Sequence, residues 1–267
     1  LRGMVIQRVP GVETPLGFHW LTDQNVHIET ATFGHTFRNY VGINLGTLNP
    51  MTYLWSDEAS VINGIYEFNT IGDPADPYKR NHRLTEKIDV EVFETSPGNK
   101  ATKITMTLRK GLSWQDGEPL TAKDYNFTVW KAGKEWKTRR YWVGELVKKA
   151  YKTEVPNPQT FITYLEGTSF LFQVEAQGYR PLPEHIFSQL KDPKKDDPAM
   201  LPHPKVKGLT MMVGQGPWVL KEHVPGTHVV NIWNPLYYMR HPEKGLSVSF
   251  SKMPSTVFAD DVPIGVE

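Results

Sequence analysis

Apolar and polar positions alternate along residues 88–109. Ile88-Asp89-Val90-Glu91-Val92-Phe93 and Ile104-Thr105-Met106-Thr107-Leu108-Arg109 both carry the period of two expected of a strand with one buried face. Ser96-Pro97-Gly98-Asn99 separates them as a turn, so the pair predicts a β-hairpin. Thr160–Leu165 predicts another strand. Trp218–His223 and Thr227–Trp233 predict a second hairpin, joined at Pro225-Gly226. Near the start, Thr36–Leu45 reads as a short strand running into the loop Gly46-Thr47-Leu48-Asn49-Pro50, where Pro50 keeps Asn49 out of helix.

Elsewhere the period is helical. Val61, Ile62, Ile65 and Tyr66 follow Ser56-Asp57-Glu58, a start that offers Ser56 as cap and two acids to the positive end of the helix dipole. Thr121, with Asp124 three residues on, approximates a capping box and opens a helix through Tyr125, Val129, Trp130 and Ala132. Residues 134–150 read as a basic helix with Trp136, Tyr141, Trp142, Leu146 and Val147 as its apolar stripe. Leu182–Phe187 opens a short helix. Residues 69–82 and 191–208 read as polar loops, and Gly214-Gln215-Gly216-Pro217 as a tight turn.

At 267 residues the chain has room for one large domain or two ordinary ones. With 39% hydrophobic and 22% charged residues it is globular. Its net charge of +1 gives no overall argument for nucleic acid or an anionic membrane. Cysteine is absent, which excludes disulfides, thiolate nucleophiles and Cys-based zinc sites. No apolar run is long enough to span a bilayer, and the first ten residues hold no secretory signal.

Catalytic motifs are missing from the sequence. Gly214-x-Gly216 lacks a third glycine and leads into a strand, so it is no dinucleotide fingerprint. His27 and Glu29 read as a surface pair, and His223 and His228 as solvated hairpin residues. Asp57/Glu58 and Asp260/Asp261 are sequence neighbours, which do not converge on one substrate bond. The basic run Lys134, Lys137, Arg139, Arg140, Lys148 and Lys149 reads as a solvated helix face and not as a nucleic-acid surface. No enzyme, metal or cofactor is therefore expected. The aromatic residues are more informative. There are eight Trp and eleven Tyr, and Tyr53, Trp55, Trp114 and Trp218 sit beside turns, where aromatics form ligand platforms over a rigid scaffold.

Four stretches, in order, resemble one family. They are Leu48-Asn49-Pro50 with Ile65-Tyr66-Glu67; Leu108-Arg109-Lys110-Gly111 through Trp114-Gln115-Asp116-Gly117-Glu118-Pro119 to Thr121-Ala122-Lys123-Asp124; Leu182-Pro183-Glu184-His185-Ile186; and Gly214-Gln215-Gly216-Pro217-Trp218 with Asn234-Pro235-Leu236-Tyr237. The chain resembles the family 5 extracellular solute-binding proteins of bacterial ABC importers, the oligopeptide and dipeptide group. Asn49 stands where the family usually has Asp, and Trp218 where it usually has Tyr. Members are much longer, so the C-terminal lobe is expected to be missing here.

The resemblance implies an α/β fold: a periplasmic-binding-protein type II (Venus-flytrap) lobe with a smaller inserted α+β domain. Residues 1–66 and 166–267 would form the first lobe, and 67–165 the inserted domain. The implied function is capture of peptides for delivery to an ABC permease. The alternatives are an oligosaccharide receptor of the same family, or an interaction protein that retains the fold without transport. Tyr53, Leu54, Trp55 and Ser56 are the first ligand-contact candidates, Tyr141 and Trp142 the second, and Trp218 the third. The implied partners are a peptide or oligosaccharide and the permease, with no nucleic acid. The protein would be a monomer, periplasmic or at the cell surface, secreted or lipid-anchored, its signal segment not within this chain. With half of the cleft present, the chain alone is expected to bind solutes weakly.

Overall fold

The structure is a computed structural model and describes residues 45–239 apart from 74, 75 and 77. Nearly all of the expected strand Thr36–Leu45, the pair His27/Glu29 and the pair Asp260/Asp261 lie outside the described residues. Helix α1 (Ser56–Ile65) buries Val61, Ile62 and Ile65. Two short antiparallel strands follow, β1 (Thr70–Gly72) and β2 (Arg80–His82), where a loop was expected. At three residues each, they are too short to display a period.

The expected hairpin is β3 (Thr85–Ser96) and β4 (Asn99–Leu108), with Val90 opposite Ile104 and Ile88 opposite Met106. Its turn holds Gly98 at φ 82, a left-handed conformation that glycine adopts without strain. Helix α2 (Ala122–Phe127) starts at the predicted Thr121/Asp124 capping box, then widens into a π-helical stretch, Thr128–Glu135. The Thr128 hydroxyl donates to the Asp124 carbonyl at 2.6 Å and accepts from the Leu182 amide at 2.9 Å, a back-bond that loosens the ladder where the widening begins.

Residues 134–150 are not one helix. Lys137, at φ 50, interrupts the path, and two short helices replace it, α3 (Arg139–Trp142) and α4 (Glu145–Lys149). Strand β5 (Ala150–Asn157) was not expected, because it lies at a sheet edge and only Ala150 is buried. It pairs with β6 (Thr160–Glu166), which pairs with β4, giving the antiparallel order β3-β4-β6-β5. Ile104, Met106, Phe161 and Leu165 bury the face of this sheet that meets α2, where Tyr125 lies 5.7 Å from the Phe161 ring. The chain continues through α5 (Phe170–Gln177), α6 (Glu184–Phe187), a 3-10 turn at Pro198–Met200 and the second expected hairpin, β7 (Trp218–Val224) and β8 (His228–Trp233). Within that hairpin His223 is buried, and burial lowers its pKa, so the solvated reading of that residue is corrected.

The signature stretches interlock. The Gln115 side chain donates to the Trp218 carbonyl at 2.5 Å and accepts from the Gly214 amide at 3.0 Å. Asp124 accepts from the Glu184 amide at 3.1 Å. Asp116 accepts from His185 at 2.7 Å and His203 at 3.0 Å. The His203 Nδ1 accepts the Lys205 and Val206 amides, which leaves the proton on Nε2, facing Asp116. Gly216 approaches α1 so closely that its amide donates to the Ile65 carbonyl at 2.7 Å. A Cβ at Gly214 would sit 2.0 Å from the Ile65 oxygen. The two glycines thus serve backbone packing. Last, Arg83 and Glu67 form a buried ion pair at 2.5 Å, joined by the Tyr237 hydroxyl at 2.6 Å and the Tyr238 hydroxyl at 2.8 Å from Glu67. This network ties the Tyr66-Glu67 end of the first stretch to the Asn-Pro-x-Tyr stretch.

Candidate binding site

The loop after Leu48 is fixed by two side chains. Asn49 Nδ2 donates to the carbonyls of Pro193 (3.1 Å) and Asp196 (2.7 Å), while its Oδ1 accepts the Met51 amide at 2.8 Å. A carboxylate has no donor for those two carbonyls, so this loop's tie to residues 193–196 requires the amide found here. Glu58, on the first turn of α1, is buried and accepts four backbone amides. Oε1 takes Gly46 (2.9 Å) and Thr47 (3.0 Å); Oε2 takes Leu54 (2.7 Å) and Trp55 (3.1 Å). Ser56 is therefore the first residue of the helix and not its cap. Glu58 does more than face a dipole: it pins both ends of the loop.

Tyr53, so positioned, is buried, and its ring carries the Arg140 guanidinium at 3.7 Å. The Arg140 amide donates to the Met51 carbonyl at 3.0 Å, joining α3 to this loop. The Tyr141 hydroxyl donates to the Arg180 carbonyl at 3.1 Å, and its ring meets Tyr179 edge-on at 6.2 Å. Burial pushes the Tyr141 hydroxyl well above its ordinary pKa, so it stays a neutral donor. Glu175 on α5 accepts the Glu145 (2.9 Å) and Leu146 (2.6 Å) amides at the start of α4. These contacts border an open cavity of about 410 Å³, walled by Tyr53, Phe68, Arg140, Tyr141, Tyr179 and Arg180 among others. That volume lies within the usual range of small-molecule sites.

Tyr53 and Tyr141, two of the residues expected from sequence, are brought together in this cavity. Leu54 (49% exposed), Trp55 (58% exposed) and the exposed Ser56 follow Tyr53 directly but do not line the cavity. Trp142 is the last residue of α3. Trp218 does not line the cavity. It is buried, stacked on Trp233 at 4.5 Å, with Gly64 against its ring edge.

Phe68, Glu175, Tyr179 and Arg180 were not among the sequence candidates. Arg140 was assigned to a solvated basic face. The fold alone brings these five positions together.

The sequence profile described as "Bacterial extracellular solute-binding proteins, family 5 Middle" matches residues 91–260. The chain belongs to this family. The fold agrees, as that of a type II periplasmic binding lobe. The family 5 chain superposes with a TM-score of 0.59 on the ABC transporter substrate-binding protein CtaP of Listeria monocytogenes, at 21% identity, covering 76% of this chain and 38% of that one. The oligopeptide-binding protein AppA of Bacillus subtilis, solved with a nonapeptide, gives a TM-score of 0.54 at 22% identity over 71% of this chain and 34% of its own. A periplasmic oligopeptide-binding protein of Thermotoga maritima, solved with mannohexaose, gives 0.55 at 21% identity over 78% and 35%. The family 5 chain thus spans under two-fifths of the length of these solved relatives. No curated protein matches it in sequence. Among the described residues no helix is long and apolar enough to cross a membrane, and no group of three or more His, Asp or Glu is arranged to hold a metal ion.

Proposed function

We propose that this chain carries part of the solute site of an ABC importer's binding protein, built from both its first lobe and its inserted domain, with peptides as the solute. The observation that carries the reading is the aromatic cavity walled by Tyr53, Phe68, Tyr141 and Tyr179; Leu54 and Trp55, which follow Tyr53 on the pinned backbone, are exposed outside its lining. Such a surface binds by apolar contact plus a few placed polar groups and needs no catalytic set, so the protein is read as a receptor and not an enzyme. Residues 45–66 and 166–239 belong, in this reading, to the first lobe, and 67–165 to the inserted domain. The protein acts outside the cytoplasmic membrane, as a monomer, and delivers its solute to the permease through hinge closure.

A second reading is an oligosaccharide receptor. The exposed indole of Trp55 favours it, since a flat aromatic face also packs on sugar rings. Calorimetry of the full-length protein with tripeptides and with short cello-oligosaccharides separates the two. Heat from tripeptides alone supports the peptide reading, and heat from the sugars alone transfers the site to the second. Absence of binding by either class overturns both.

A further inference from the structure

Two guanidinium groups line the cavity, and among the described residues neither forms an ion pair. Arg140 is exposed and lies over the Tyr53 ring at 3.7 Å. Arg180 is only 6% exposed, lies over the Phe68 ring at 4.2 Å, and donates to the side-chain oxygen of Asn63, a neutral acceptor. The one carboxylate among the described residues that line the cavity, Glu175, has both oxygens engaged by the Glu145 and Leu146 amides. The site therefore holds two positive charges whose partners are aromatic faces and an amide.

A buried guanidinium without an anion is costly, because its charge loses water and gains no counter-charge. Burial, above all, pulls the Arg180 pKa down from its ordinary value, and the charge of Arg140 acts in the same direction. An arginine stays charged nonetheless, and among the described residues no carboxylate relieves it, which leaves its charge open to an anionic ligand. Guanidinium groups held by ring faces keep in-plane N–H donors for a planar acceptor, the geometry that suits a carboxylate.

Resting on the peptide reading of this cavity, we infer that Arg140 and Arg180 form a receptor for a carboxylate of the solute, so that the protein selects anionic peptides over neutral ones. A neutral sugar would leave both charges uncompensated. The carboxylate is supplied by a peptide C-terminus or by an acidic side chain, and the two sources are separable by blocking groups.

The test is calorimetry on the full-length protein with trialanine, trialanine amide and N-acetyl-Ala-Glu-Ala-amide. The expected result is that amidation weakens trialanine more than tenfold, or that the blocked glutamyl peptide binds more than tenfold better than trialanine amide. The first outcome assigns the pair to the C-terminus, the second to a side chain. Arg140→Gln should then erase the difference, and Arg140→Lys should restore part of it. Arg140 is exposed, so these variants keep the fold, whereas Arg180→Gln risks unfolding and is used only with its melting temperature alongside. Equal affinity for all three peptides overturns the inference but leaves the cavity's reading standing. Absence of binding by any peptide overturns both.

Discussion

The Arg140 guanidinium lies 3.7 Å from the centroid of the Tyr53 ring, and its amide donates to the Met51 carbonyl at 3.0 Å. One residue thus holds the π-face and the backbone of a loop far away in sequence. Tyr53→Ala removes a buried ring and is expected to destabilise by about 3 kcal/mol. Tyr53→Phe keeps the ring face and should stay within about 1 kcal/mol of wild type. Urea denaturation of the two variants checks the contrast.

Glu58 accepts four backbone amides from two segments. Glutamine presents one acceptor oxygen in place of two and no charge. Glu58→Gln is expected to cost about 2–4 kcal/mol, because hydrogen bonds to a charged group contribute about 1.5–3 kcal/mol each. Hydrogen exchange should quicken either at Gly46 and Thr47 or at Leu54 and Trp55, according to which pair the amide group faces. Unchanged exchange at both pairs would refute the role given to Glu58.

Asn49→Asp restores the residue common in the family, yet it should destabilise this chain. The substitution places a carboxylate oxygen against the Pro193 and Asp196 carbonyls that Nδ2 now serves. A loss of about 1–3 kcal/mol is expected from the unmet buried groups. A melting temperature equal to or above wild type would show that the amide contacts do not matter.

Asp116 links two of the signature stretches to residues 201–209. Burial alone would raise its pKa, but the hydrogen bonds from His185 and His203 outweigh it and hold the carboxyl at about 2. The folded value lies below the unfolded one. The stabilisation is therefore complete above about pH 4 and is lost as pH falls from about 4 towards about 2, amounting to about 2 kcal/mol at most. Asp116→Asn should flatten that part of the stability profile, as read from urea midpoints between pH 2 and pH 5. The same slope in the variant would place the acid sensitivity elsewhere.

Much of the fold was legible wherever one face of an element is buried. The hairpin of β3 and β4 shows a period of two with a turn rich in Ser, Pro, Gly and Asn, and the Thr121 box marks the start of α2 because capping is local chemistry. Strand β5 and helix α5 were not legible. Only Ala150 of β5 is buried, while Phe170, Leu171 and Val174 of α5 are exposed apolar residues that blur any stripe. The break at Lys137 was hidden, because its left-handed backbone follows from tertiary packing and not from a glycine. Of the site, Tyr53 and Tyr141 were reached through motifs. Arg140 and Arg180 were not, since a charge reads as solvated until the fold shows which ring it covers.

The central claim, that the Tyr53–Ser56 loop is a solute-contact surface, is tested most directly at Trp55. Its side chain is 58% exposed, so truncation removes contact area without emptying the core. Calorimetric titration of the full-length protein with tripeptides, wild type against Trp55→Ala, is the measurement. The account predicts an affinity loss of at least about tenfold, roughly 1.4 kcal/mol, with an unchanged melting temperature. Equal affinity in the two proteins would contradict it and move the solute away from this loop.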